Sequence, residues 1–132
     1  MRLYLWIMTG GALGSGARFF MSGWVANRFG ATFPWGTLAV NVLGSFLIGA
    51  FATLTEPEGR LFVGPTGRQF FTTGVMGGFT TFSSFSLQTL TLARDGELFR
   101  AGGNAVLSLG LCLLAVWLGH IAAASLNQMK GY

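Results

Sequence analysis

The chain has 132 residues, 52% hydrophobic and only 9% charged, about a third of the charged fraction of an average soluble domain, which excludes a typical soluble globule and a disordered tail. Eight Lys/Arg against four Asp/Glu and one His give a formal net charge of +4, but the bases form no cluster, so nucleic acid is not an expected partner. One cysteine, Cys112, excludes an intramolecular disulfide framework and a multi-cysteine zinc site.

Charges punctuate the chain and leave four long apolar intervals, at residues 3–25, 33–54, 69–93 and 101–126. About 20 apolar residues in helical form cross a hydrocarbon core. Each interval is therefore expected to be a transmembrane helix, and residues 1–132 a single four-helix transmembrane domain of the all-α class. The first interval carries one charge, Arg18. Its start resembles a secretory leader, with Arg2, an apolar run and Gly14-Ser15-Gly16-Ala17, but the run continues through Phe19, Phe20 and Met21 to Trp24. Asn27-Arg28-Phe29-Gly30 ends this helix, and Pro34 suits the first turn of the next. Thr55–Arg60 and Gly64–Arg68 read as polar breakers, and Arg94-Asp95-Gly96-Glu97 as a tight turn. Tyr4, Trp6, Trp24 and Trp35 fall near predicted ends, where amphipathic rings favour the interface; Trp117 falls inside the last interval and is expected to pack.

Orientation is finely balanced. Arg2, Arg60, Arg68 and Lys130 share one side, and Arg28, Arg94 and Arg100 the other. Because Lys/Arg excess sets orientation, such a chain is open either to insertion both ways, with opposed copies pairing about a two-fold axis, or to one fixed orientation set by a single base. Small residues recur at close-packing spacing: Gly10 with Gly14, Gly36 with Gly44, and Ser45 with Gly49.

The third interval carries the chemistry. Gly77-Gly78 sits in its middle, a poor helix continuation that reads either as a break or as a pair allowing close helix contact. Non-helical backbone at membrane depth persists only where it is buried in protein or lines a wet cavity. Thr80, Thr81, Ser83, Ser84 and Ser86 follow, interleaved with Phe79, Phe82 and Phe85 at a spacing of three, which keeps the rings near one helical face. Hydroxyls are donors that replace water around an anion, and aromatic rings carry positive edges. Asn41, with Thr37 one turn earlier, and the Asn104, Ser108, Cys112 series at a spacing of four supply further polar groups, each either lining a pathway or bonding one helix to another. Arg18 is either a functional charge or a residue reaching for the interface. None of the four intervals contains Asp or Glu, which leaves a proton-coupled cation exporter without its carboxylate.

Gly14-x-x-x-Arg18, Gly36-Thr37-Leu38-x-Val40-Asn41-x-x-Gly44 and Gly77-Gly78-Phe79-Thr80-Thr81-Phe82-Ser83-Ser84-Phe85-Ser86 together resemble the Fluc/CrcB family of small fluoride channels over essentially the whole chain. The resemblance implies an antiparallel, dual-topology homodimer in the cytoplasmic (inner) membrane, with two fluoride pores lined by both subunits. It implies a third helix broken near Gly77-Gly78, whose carbonyls at Gly77 and Thr80 hold a central structural Na⁺. It places Phe82, Phe85 and Asn41 against fluoride, and Ser83, Ser84 and Ser108 on a polar track, with Thr81 and Asn104 as further lining. Arg18, Thr37 and Gln88 are candidates for attracting the anion or for a structural role. Gln88 stands where many members carry glutamate, Cys112 where a hydroxyl is expected, and Asn104 where some carry tyrosine. The competing readings are a small dual-topology multidrug exporter and a non-transporting membrane subunit. No acid/base pair or metal cluster in the intervals suggests an enzyme, and His120 is read as interfacial.

Overall fold

A computed structural model describes residues 1–129; Lys130, one of the bases in the orientation count, lies outside the described residues. Every regular element among them is helical. Helix α1 spans Arg2–Phe29 and ends at Gly30, whose φ of 89° is open to glycine without steric cost. Helix α2 spans Trp35–Leu54, with Pro34 at its N-cap. The segment Gly64–Arg68, expected as a breaker, instead starts a helix. Pro65 takes the first position of α3 (Pro65–Gln69), where a missing N–H costs nothing. A π-helical segment, Phe70–Met76, follows directly, then α4 (Gly77–Phe79) and α5 (Phe82–Arg94). The turn at Asp95-Gly96, with Gly96 at φ 81°, leads into α6 (Leu98–Gln128). At 1.5 Å per residue α6 is about 46 Å long, more than a hydrocarbon core requires.

Two helix pairs build the molecule. Gly10 faces Phe70, Gly74 and Val75, and Gly14 faces Val75 and Phe79, so α1 and the π-helical and α4 segments run parallel in close contact. A Cβ on Gly14 would overlap the Val75 carbonyl, so that seam requires glycine. Helix α2 packs most extensively on α6, also in parallel. Gly49 meets the Val116 backbone, and Gly119 meets Phe46 and Ala50. The expected pairing of small residues is thus realised within the chain for Gly10, Gly14 and Gly49. Ser45, expected to join Gly49 as a packing residue, faces a cleft instead.

One end of the α2–α6 pair is tied by polar groups. The Thr53 hydroxyl and His120 Nδ1 share a hydrogen bond of 2.7 Å, Asn127 Nδ2 donates to the Thr53 carbonyl, and the Arg60 amide donates to Asn127 Oδ1. Arg68 donates to the carbonyl and the hydroxyl of Thr55. These contacts fix the 55–64 connector against both α2 and α6.

The buried apolar core is small and centres on Val40, Met76 and Phe79. Large apolar side chains cover the outside, among them Phe19 (84% exposed) and Phe20 (75%). Trp117, expected to pack, is 58% exposed and points away from the chain's own core. An apolar outside on this scale marks a surface meant for lipid or another protein rather than water. Helices α2 and α6 are each long and apolar enough to cross a membrane.

Candidate functional site

The third interval does not break at its glycine pair. Gly77 has φ −62° and ψ −35°, and Gly77–Phe79 is helical. The interruption falls just after it, where Thr80 (φ −89°, ψ 156°) and Thr81 (φ −152°, ψ 112°) are extended. The helical ladder ends at Met76, whose carbonyl accepts from the Thr80 amide at 3.0 Å and the Thr80 hydroxyl at 2.9 Å.

Side chains supply part of what the interrupted ladder lacks. In an unbroken helix the Thr81 amide would donate to the Gly77 carbonyl. It donates instead to Asn41 Oδ1 at 2.7 Å, while Asn41 Nδ2 donates back to the Thr81 carbonyl at 3.1 Å. The Ser84 amide would likewise reach the Thr80 carbonyl, but it donates to Thr81 Oγ1 at 3.1 Å, so Thr81 is the N-cap of α5. Asn41 of α2 thus satisfies both backbone groups of one extended residue forty positions away. The carbonyls of Gly77, Gly78, Phe79 and Thr80 are all left without their helical donors. Free carbonyl oxygens suit a hard cation, so the donor chemistry fits the Na⁺ that the resemblance implies at Gly77 and Thr80.

The interruption opens onto a cleft of about 580 Å³. Asn41, Gly44 and Ser45 of α2 form one wall, Thr72, Gly77, Thr80 and Thr81 a second, and Ser108 and Cys112 of α6 a third, with Phe82 and Phe85 at the entrance to α5. Gly44 is required here: a Cβ would strike the Thr80 side chain. The rings of Phe82 and Phe85 lie 5.3 Å apart, tilted by 55°. Phe82 is 78% exposed and Phe79 only 7%. The three phenylalanines therefore do not share a face, because the break between Phe79 and Phe82 resets the helical phase.

The remaining predicted residues divide clearly. Asn104, almost fully buried, lies behind the cleft: its Nδ2 donates to Thr89 Oγ1 at 2.9 Å, and its Oδ1 accepts from the Ser108 hydroxyl at 3.3 Å. Ser83 and Ser84 gather around Thr81 rather than line the cleft, with 3.3 Å between the Thr81 and Ser83 hydroxyls. Ser86 bonds the Phe82 carbonyl. Thr37 and Gln88 come together at a second cleft of about 710 Å³, beside Asp95, Glu97 and Arg100. Arg18 is on the wall of neither cleft, and its buried Nε has no hydrogen-bond partner among the described residues. The sequence reading missed Gly44 and Ser45 as cleft residues. Their signal was present: Ser45 is four residues after Asn41, hence on the same helical face.

Comparison with known proteins gives this arrangement a family. Residues 5–120 match the family described as CrcB-like protein, Camphor Resistance (CrcB). A protein of Opitutus terrae named fluoride-specific ion channel FluC is 71% identical over 131 residues, covering 99% of both chains. Proteins of the same name from Methylocella silvestris and Rhodospirillum rubrum are 62% and 57% identical, covering 97% and 95% of this chain and 98% and 97% of their own. With a profile match over most of its length and relatives this similar end to end, the chain belongs to the CrcB-like family.

Proposed function

We propose that the protein is a passive fluoride-selective channel that lets F⁻ leave the cell across the cytoplasmic membrane and so relieves fluoride toxicity. It is a channel protein and not an enzyme. The observation that carries the reading is the interruption at Thr80-Thr81, held open by Asn41 and facing a cleft beside Phe82 and Phe85, in a chain whose relatives bear the name of fluoride channels. The four spans are α1, α2, the run from α3 through α5, and α6, within one domain covering residues 1–132. Two copies pair antiparallel and bury apolar faces that one copy leaves open. Each of two pores is lined by both subunits.

Fluoride is small and strongly hydrated, so its dehydration must be offset by several close donors that still release it. Amide and hydroxyl donors with phenyl edges meet that demand without fixed charge. Phe82, Phe85, Asn41, Thr81 and Ser108 form the path, and Thr37 and Gln88 the approach to it. Asn104 holds Ser108, and Ser83 and Ser84 support the capped end of α5. The Gly77 and Thr80 carbonyls hold a central structural Na⁺, which when bound supplies fixed positive charge near the path. The multidrug-exporter reading lacks support: all four acidic residues, Glu56, Glu58, Asp95 and Glu97, lie outside the helices.

Purified protein in liposomes is expected to release fluoride rapidly, with no proton or sodium gradient, and chloride far more slowly. Equal chloride release would remove the selectivity claim. Cysteine labelling of a connector, in a Cys112→Ser background, is expected from both sides of intact membranes; labelling from one side would exclude dual topology.

A further inference from the structure

The polar groups on the 580 Å³ cleft differ in what they have left to offer an ion. Five hydroxyls line it, and four are engaged within the chain. Thr72 donates to the Arg68 carbonyl and Thr80 to the Met76 carbonyl. Ser108 donates to Asn104, and Thr81 accepts from the Ser84 amide while sharing a bond with Ser83. The fifth, Ser45, makes no hydrogen bond among the described residues, although it is partly buried in the middle of α2. The hydroxyls of Ser15, Thr37, Thr66 and Ser84 are likewise without a bond among the described residues, but none of these lines this cleft, and most helical hydroxyls in the chain are engaged. Thr9, Ser86, Thr89, Thr91 and Ser125 each donate back to the carbonyl four residues earlier, the usual resort of a hydroxyl in an apolar helix. Ser45 does not bond back to Asn41. Its Oγ is not sealed inside the protein, so an occupant of the cleft is free to accept from it.

Ser45 is also placed to act with Asn41. It lies one turn further along the same face of α2, and Asn41 donates one of its two Nδ2 hydrogens to Thr81, leaving the second free. Two uncommitted donors one turn apart, on a wall facing Ser108 and Cys112, make a short ladder along the cleft. We propose that Ser45 is a ligand of the permeating anion, donating its hydroxyl to fluoride one turn beyond Asn41. The inference rests on the channel reading above and adds a contact to it.

The test is fluoride efflux from liposomes as a function of fluoride concentration, for wild type, Ser45→Ala and Ser45→Thr. Loss of a charge-assisted hydrogen bond predicts a half-saturating concentration about ten-fold higher for Ser45→Ala, with near-wild-type behaviour for Ser45→Thr, which keeps the hydroxyl. Elution of both variants as the wild-type species checks assembly. A purely structural serine would change the number of active channels and leave half-saturation unmoved. Wild-type half-saturation in Ser45→Ala, or failure of Ser45→Thr to restore it, overturns the proposal while the channel reading stands. Absence of fluoride efflux from wild type overturns both.

Discussion

The α2–α6 pair and the third interval are built from similar residues and use them in opposite ways. In the pair, small residues let two unbroken helices approach along their backbones: Gly49 meets Val116 and Gly119 meets Phe46. In the third interval, glycine lies next to a ladder that widens into a π-helix and then stops. Gly74 and Gly78 face α1 closely, but Gly77 faces open space, its nearest prospective neighbour being the Thr72 carbonyl at 3.8 Å. Close packing thus accounts for most of these glycines. The break itself comes from competition, because Asn41 and Thr81 offer backbone groups a partner outside the helix.

That contrast is open to experiment, beginning with the seam. Gly119→Leu forces a side chain into the Phe46 carbonyl and is expected to cost about 3 kcal/mol or more, seen as loss of a monodisperse species on gel filtration. At the break, Thr81→Ala removes the cap of α5 and is expected to cost about 1 kcal/mol in thermal stability. Phe82→Ile, on an exposed ring, is expected to leave stability within about 0.5 kcal/mol while fluoride flux falls. The mildest change is Gly77→Ala, where the chain has room for a methyl group and the helix gains propensity. Its thermal stability is expected to match or slightly exceed wild type, and a large loss would mean that Gly77 is packed within the chain after all.

Much of this architecture is legible in the sequence. Charge spacing alone locates α1, α2 and α6, and Gly30 and Gly96 mark turns that need positive φ. The site was legible in composition but not in detail. Gly77-Gly78 gave the neighbourhood of the break, yet its position depends on Asn41, forty residues away, and no local pattern reports that partner. The spacing of Phe79, Phe82 and Phe85 suggested one face only on the assumption of a continuous helix. Trp117 does not pack within the chain, and a helix apolar on every side has no periodicity to show which face packs there. Asn104 reads from sequence as a lining donor, whereas the packing of α6 on α5 gives it Thr89 and Ser108 as partners behind the cleft, and no local pattern reports that packing.

The central claim is that the anion passes where Asn41 holds the third interval open. Fluoride efflux from liposomes carrying Asn41→Asp tests it most directly, since a carboxylate still accepts from the Thr81 amide but no longer donates to its carbonyl or to an anion. The account predicts a protein that assembles as wild type and releases fluoride at least about ten-fold more slowly; efflux at the wild-type rate would contradict it.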